Sequence, residues 1–422
     1  MAGRSMVLTI GLTLAMPAIS QDYAREIAAS AALHDICQTD RGQLWGAELC
    51  GPLIVVDPST RAVWANQAAP EGGLQRQEVG WIGTLPPGIG VANTSTEWAG
   101  VRWIMVVSPL PAADLELRVL IAHEAWHRIQ ASIGLAAQGS DCEHLESERG
   151  RYYLRLELRA LRRALTTRGA SRWRAVGDAL AFRKTRLQEF PSAGGQEGAL
   201  DRNEGLASYT GVKLGAGPQS FDYAARTLAK YDNHDAFARA YAYASGPAYG
   251  LLLDERQPNW RAQLGADAPA DVLARAIRTQ PATSSLENRA ARYGGAAVAA
   301  EEHTRAETQR TRITQLRSRF SAGPRVFLPL KSMKMEFDPN QVTPVEGLGG
   351  VYRVLTIRDA WGELRASEGA LIASDFKQAI AAAPDSTGLA GPGWTLSLNS
   401  GYRLSAADAL GVMQVEPILV AP

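Results

Sequence analysis

Apolar positions along the chain change their spacing twice, and each change marks a different kind of secondary structure. In the first hundred residues, short apolar runs at 53–56, 79–82 and 101–107 are bounded by Pro, Gly and Asn, which predicts strands of a small sheet after a short helical stretch. From 115 to 133 the apolar residues fall three and four apart, the spacing that gives a helix one buried stripe. Asp114 reads as the N-cap of this helix and Gly134 as its left-handed C-cap. Leu154, Leu158, Leu161 and Leu165 form a second stripe over 149–166, with Arg155, Arg159, Arg162 and Arg163 largely on other faces. Further helices are predicted at 171–190, 204–214, 221–231 and 236–253, and an alanine- and arginine-rich helical stretch with breaks fills 268–320. After Ser321 the pattern turns to short alternating stretches at 325–330, 351–357, 394–398 and 413–420, separated by Gly and Pro turns.

This order predicts an α+β protein. Its 422 residues are too many for one ordinary core. The texture divides them into an N-terminal mixed α/β region with an edge strand at 21–113, a helical domain at 114–320 and a β-rich C-terminal domain at 321–422. The first twenty residues read as an export signal: Arg4, an apolar stretch at 6–17, and the small-x-small cleavage site Ala18-Ile19-Ser20 ahead of Gln21. That apolar stretch is shorter than the roughly 20 residues that span a bilayer. The expectation is a periplasmic or secreted product with no stable membrane insertion once the signal is removed.

Charge and cysteine content narrow the picture a little further. With 44 basic and 43 acidic residues the formal net charge is +1, so no overall field draws the chain to nucleic acid or to anionic membranes. The basic run at 149–174 is interleaved only with Tyr152, Tyr153 and Trp173 and reads as a solvated helix face. Nucleic acid is therefore not an expected partner. Of the three cysteines, Cys37 and Cys50 can close a short loop in an oxidising compartment with Cys142 left over, and three buried free thiols is the alternative.

The candidate chemistry is concentrated at His123-Glu124-Ala125-Trp126-His127. Residues four apart in a helix share a face, so both imidazoles can aim a ring nitrogen at one metal ion. Glu124 then stands where a carboxylate can deprotonate a water acidified by that ion. Leu117, Val119, Leu120, Ile121 and Trp126 make the helix heavily apolar, which predicts burial, and buried imidazoles and carboxylates need partners. A third histidine six residues after His127 would mark a metzincin, but that position holds Ile133. The third ligand must come from elsewhere. Glu157, set between Leu154, Leu158 and Leu161 on an apolar stripe, is one candidate; it reads equally as an acceptor fixing a ligand histidine or as the ion-pair partner of an arginine. His144 is another.

Asn203-Glu204-Gly205-Leu206-Ala207-Ser208-Tyr209 resembles the second zinc motif of gluzincin peptidases of the aminopeptidase N type. The resemblance implies a zincin-like fold, zinc as cofactor, Glu204 as the third ligand beside His123 and His127, and Gly205 as a point of close backbone approach. The stretch between His127 and Glu204 is far longer than in that family, which implies a helical insertion. Tyr243-Ala244-Ser245-Gly246-Pro247-Ala248-Tyr249 resembles the region that supplies the family's oxyanion-stabilising tyrosine. This maps the role onto Tyr243, with Ser245 where the family has Lys and with Tyr249 as the alternative. Upstream, the stretch 90–94 and the run through Trp103 stand where the superfamily pairs an edge strand with the substrate backbone. The family's G-x-M-E-N signature for a free amino terminus is absent, with Asn93 and Glu97 only loose echoes of it.

The expectation is an exported zinc metallopeptidase acting on a peptide or protein substrate, with Glu124 and Tyr243 catalytic. The alternatives are a catalytically silent zincin-fold binding or scaffold protein, and a zinc hydrolase of a non-peptide substrate.

Overall fold

The computed structural model describes residues 23–136, 139–277, 285–338 and 341–418; the candidate export signal at 1–20 lies outside them. The chain is a mixed α+β protein, a largely helical region followed by a β-rich C-terminal part. It forms two compact units, Met1–Ala299 and Ala300–Pro422. The division lies inside the helix Gly295–Ser321, earlier than the change of sequence texture at Ser321.

In the first unit, helix α1 (Ala24–Asp40) precedes six strands: β1 (Leu53–Val56), β2 (Ala62–Ala65), β3 (Leu74–Gln77), β4 (Gly80–Thr84), β5 (Thr94–Trp98) and β6 (Val101–Val107). They form one sheet in the order β3-β4-β2-β1-β6-β5, with β1 parallel to β6 and the other pairs antiparallel. Leu53 and Val55 of β1 face a core shared with the helices, while Ile54 and Val56 face a second cluster with Trp103 and Met105. Both faces of the central strands are thus covered, which is why these runs are continuously apolar rather than alternating. β5 is an edge strand.

Helix α2 (Asp114–Gln130) follows β6 and packs on β5, β6 and α1. Asp114 is its first helical residue rather than its cap: Ala113 holds the cap position, and the Asp114 carboxylate pairs with Arg25 at 2.8 Å. In the first turn that carboxylate still complements the positive end of the helix dipole. Gly134 adopts φ 80° after the closing turn, the left-handed conformation that glycine accepts without steric cost.

Helices α3 (Glu148–Thr166) and α4 (Gly169–Glu189) pack along one another, and α3 is capped by Ser147, whose hydroxyl accepts from Gly150 N. The stripe Leu154, Leu158, Leu161 and Leu165 is buried. The basic run is not simply a solvated face, since Arg151, Arg155 and Arg172 are buried as well. Arg155 lies 3.5 Å from Asp232, and Arg172 donates to the Ala164 and Thr167 carbonyls at 3.0 and 2.9 Å. These partners offset the cost of taking guanidinium groups out of water.

After α5 (Ala193–Leu200) the chain runs on as a π-helical turn at Asp201–Gly205, helix α6 (Leu206–Thr210) and a second π-helical turn at Gly211–Gly215. This segment lies tightly against α2. A side chain at Gly211 would put Cβ 2.6 Å from Val119 O, and one at Gly215 would put Cβ 2.6 Å from Val119 N. Helices α7 (Ser220–Tyr231) and α8 (Tyr241–Arg256) complete the surround. Gly246 of α8 sits against the Gly205 backbone, where any Cβ would overlap the Gly205 carbonyl. Cys37 and Cys50 are joined, with Cα atoms 5.4 Å apart. Cys142 is a buried free thiol whose pKa burial pushes up to about 12.

In the second unit, sheets of seven and five strands share a core that includes Val326, Ile357, Trp361, Leu364 and Trp394. The single apolar run at 351–357 is two strands, Gly349–Tyr352 and Leu355–Asp359, which belong to different sheets. Exposed Arg353 and Val354 make the crossing. Among the described residues no helix is long and apolar enough to cross a membrane.

Candidate metal centre

The helical period of α2 puts His123 and His127 one turn apart on the face that meets the Asp201–Gly215 segment. Their Nε2 atoms stand 3.1 Å apart. Glu204 enters from the first π-helical turn, with Oε2 at 3.4 Å from His123 Nε2 and 3.5 Å from His127 Nε2. All three donor atoms lie within 4.8 Å of one another. Glu124 Oε1 is 3.9 Å from His123 Nε2. The glycines at 211 and 215 make this convergence possible, because they let the Glu204 segment approach α2 at backbone distance.

A ring of hydrogen bonds joins two of these side chains from behind. His127 Nδ1 lies 3.0 Å from Gln130 Oε1, Gln130 Nε2 donates to Asn203 Oδ1 at 3.0 Å, and Asn203 Nδ2 donates to Glu204 Oε1 at 3.0 Å. With Gln130 Oε1 accepting, the proton of His127 sits on Nδ1, so Nε2 turns a lone pair toward Glu204 Oε2 and His123. On His123 the Nδ1 side meets Ser208 Oγ at 3.3 Å. Orientation of this kind from outside the ligand set is what holds metal-binding imidazoles in register.

Burial raises the pKa of Glu124, and the nearby Glu204 charge adds to it against the two imidazoles. For His127 burial disfavours the charged ring, yet the neighbouring Glu204 and Glu124 carboxylates outweigh it and the pKa is raised. Glu204 is held far below the usual carboxylate range: burial opposes this, but the His123 and His127 imidazoles beside its Oε2 prevail. Tyr243 stacks on His123, with ring centroids 5.6 Å apart and planes 5° from parallel. Burial first and then the Glu204 carboxylate push its phenol well above its ordinary value, so the hydroxyl keeps its proton and can donate it in a hydrogen bond.

The rival residues are engaged elsewhere. Glu157 is fully buried, bonded to Arg186 at 2.6 Å and accepting from Tyr249 Oη at 2.7 Å. It is an ion-pair partner of arginine, and the same bond takes Tyr249 away from the centre. His144 Nε2 lies 2.8 Å from Glu197. Glu97 pairs with Arg102 at 3.3 Å, and Asn93 Oδ1 accepts from Val107 N at 2.8 Å at the rim of the cleft.

The three donors and Glu124 line a cleft of about 620 Å³, which Thr94 and Ser95 of β5 border on one side and Tyr223, Arg226, Thr227 and Lys230 of α7 on another. Gln130, Ser208 and the α7 residues of the wall are further members of this candidate site that the sequence alone did not point to. Gln130 lies three residues after His127 and Ser208 four after Glu204, positions that share a helix face and could have signalled the first two. No local signal places α7 in the cleft.

The donor set fits a divalent metal ion. Glu204 Oε2 and Glu124 Oε2 are buried without a hydrogen-bond partner, and a buried carboxylate oxygen in that state is costly unless a cation meets it. Two imidazoles and one carboxylate, with a water position left open, are the donors of catalytic zinc sites. Compared with protein-family models, curated proteins and solved structures, the chain matches none.

Proposed function

We propose that this chain is an exported zinc metallopeptidase of the gluzincin type with a zincin-like catalytic unit, hydrolysing peptide bonds of a peptide or protein substrate in the periplasm or outside the cell. The observation that carries the reading is the convergence of His123 Nε2, His127 Nε2 and Glu204 Oε2 beside an unpartnered buried Glu124 oxygen, in the wall of an open cleft.

His123, His127 and Glu204 would hold the metal, which when bound polarises a carbonyl oxygen and acidifies a water. Glu124 takes the proton of the attacking water and returns it to the leaving amine. Buried 3.9 Å from His123 Nε2, its carboxylate stands where it can make that two-way transfer. Tyr243, neutral and stacked against His123, donates its hydroxyl proton in a hydrogen bond to the carbonyl oxygen as negative charge develops there. β5 is an edge strand next to α2 and lines the cleft with Thr94 and Ser95, so an extended substrate backbone can add to it as a further strand.

A peptide-library digest read by mass spectrometry tests the proposal. Cleavage by the wild-type protein that is lost in Glu124→Gln, with zinc content unchanged, is the expected outcome. Equal cleavage by both proteins overturns the assigned base, and no cleavage by either overturns the peptidase reading.

A further inference from the structure

The α7 wall of the cleft carries a charge pattern that the hydrolytic chemistry does not use. Arg226 and Lys230 lie four residues apart on α7, hence on one face, and both line the cleft with exposed side chains. Among the described residues neither makes an ion pair; the Arg226 guanidinium lies 5.8 Å from the Tyr223 ring centre. The third cation of the lining, Arg102, is already taken by Glu97 at 3.3 Å. On the β5 side Asn93, Thr94 and Ser95 present only neutral polar groups. Apart from Glu124 and Glu204, the lining holds one acid among the described residues, Glu116, two helical turns before His123 on α2. The wall facing the substrate from α7 is therefore net positive, beside a metal centre that also favours oxygen anions.

Resting on the peptidase reading, we propose that the cleft selects peptides that present a carboxylate to Arg226 and Lys230. That carboxylate comes either from an Asp or Glu side chain near the bond cleaved or from a free C-terminus. Thr227, between the two cations on the same helix and also in the lining, already donates its hydroxyl to the Tyr223 carbonyl at 3.0 Å, so the recognition rests on Arg226 and Lys230. Because the two cations are exposed, the preference is modest at high ionic strength and largest at low salt.

The test measures binding and cleavage separately, so that failure of the specificity and failure of the chemistry are told apart. Zinc-loaded Glu124→Gln protein is titrated by fluorescence anisotropy with four versions of one labelled peptide, carrying Glu or Gln near the centre and a free or amidated C-terminus. About tenfold tighter binding of a carboxylate-bearing version, the size expected of one or two exposed ion pairs, supports the proposal, and which version gains identifies the source. Arg226→Glu combined with Lys230→Glu is expected to reverse the order. Equal affinities for all four peptides in the Glu124→Gln protein overturn the proposal whatever the wild-type enzyme cleaves. A retained preference whose order the double variant does not change also overturns it. Absence of cleavage by the wild type, with the binding preference intact, counts against the peptidase reading alone.

Discussion

His123 Nε2 and His127 Nε2 stand 3.1 Å apart with Glu204 Oε2 between 3.4 and 3.5 Å from both. Two imidazole lone pairs at that separation repel unless a proton or a cation lies between them, so the folded protein is expected to be stabilised by metal. Chelator-stripped protein should regain about one zinc per chain. At a free zinc concentration about a thousand times Kd it should gain about 4 kcal/mol, read as a rise in Tm by calorimetry. His127→Ala should abolish both responses, and a wild-type Tm indifferent to zinc contradicts the site.

Gln130 touches no candidate metal position, yet it accepts from His127 and donates toward Glu204 through Asn203. Gln130→Leu is expected to weaken zinc binding by about 10- to 100-fold, measured by competition with a chromophoric chelator. Gln130→Glu keeps the acceptor for His127 and should lose less.

Gly211 meets Val119 O, with the Cβ position only 2.6 Å from that backbone atom and 3.2 Å from His123 Cβ. Gly211→Ala must push the π-helical segment away from α2, at an expected cost of about 1–3 kcal/mol in urea unfolding. Because the same shift parts Glu204 from the histidines, zinc affinity should fall with stability.

Tyr243→Phe keeps the ring that stacks on His123 and removes only the hydroxyl. The expected result is a kcat lower by about 10²–10³-fold, the scale for one donor to a developing oxyanion, with zinc content unchanged. An unaltered kcat would reassign Tyr243 to packing.

Below the centre, Glu157, Glu197 and Asp201 share the guanidinium groups of Arg183 and Arg186. Burial pushes the Asp201 carboxyl up to about 6 from an ordinary 3.8, with Arg183 working against the shift. The folded state therefore holds this proton more tightly than the unfolded chain does. The stability it contributes is full below about pH 4 and is lost as pH rises through about 6. Asn imitates the neutral acid, so Asp201→Asn should gain on the wild type between pH 4 and 7.5 by up to about 3 kcal/mol, two pKa units at about 1.4 each. Paired urea titrations at the two pH values measure this, and a difference independent of pH rules it out.

The elements of this protein were largely legible in its residues because local spacing is a local property. The strands Leu53–Val56, Val101–Val107 and Trp394–Leu398 follow their apolar runs to the residue, and α2, α3 and α7 follow their stripes within a residue or a turn. The pairing of His123 with His127 is equally local, since the helical turn alone puts them on one face. Three matters were not local. Glu157 and Glu204 were both carboxylates on predicted helices, and only the packed structure sends Glu157 to Arg186 and Tyr249 while bringing Glu204 to the histidines. The buried arginines of α3 and α4 looked solvated because a sequence does not display the acids and carbonyls that reach them from other helices. The cleft wall on α7 arises from a helix that meets α2 only across the interior. Spacing along the chain determined which side chains could share a helix face; which faces meet was decided by tertiary packing, because contacts between residues far apart in sequence depend on how every intervening element is stacked.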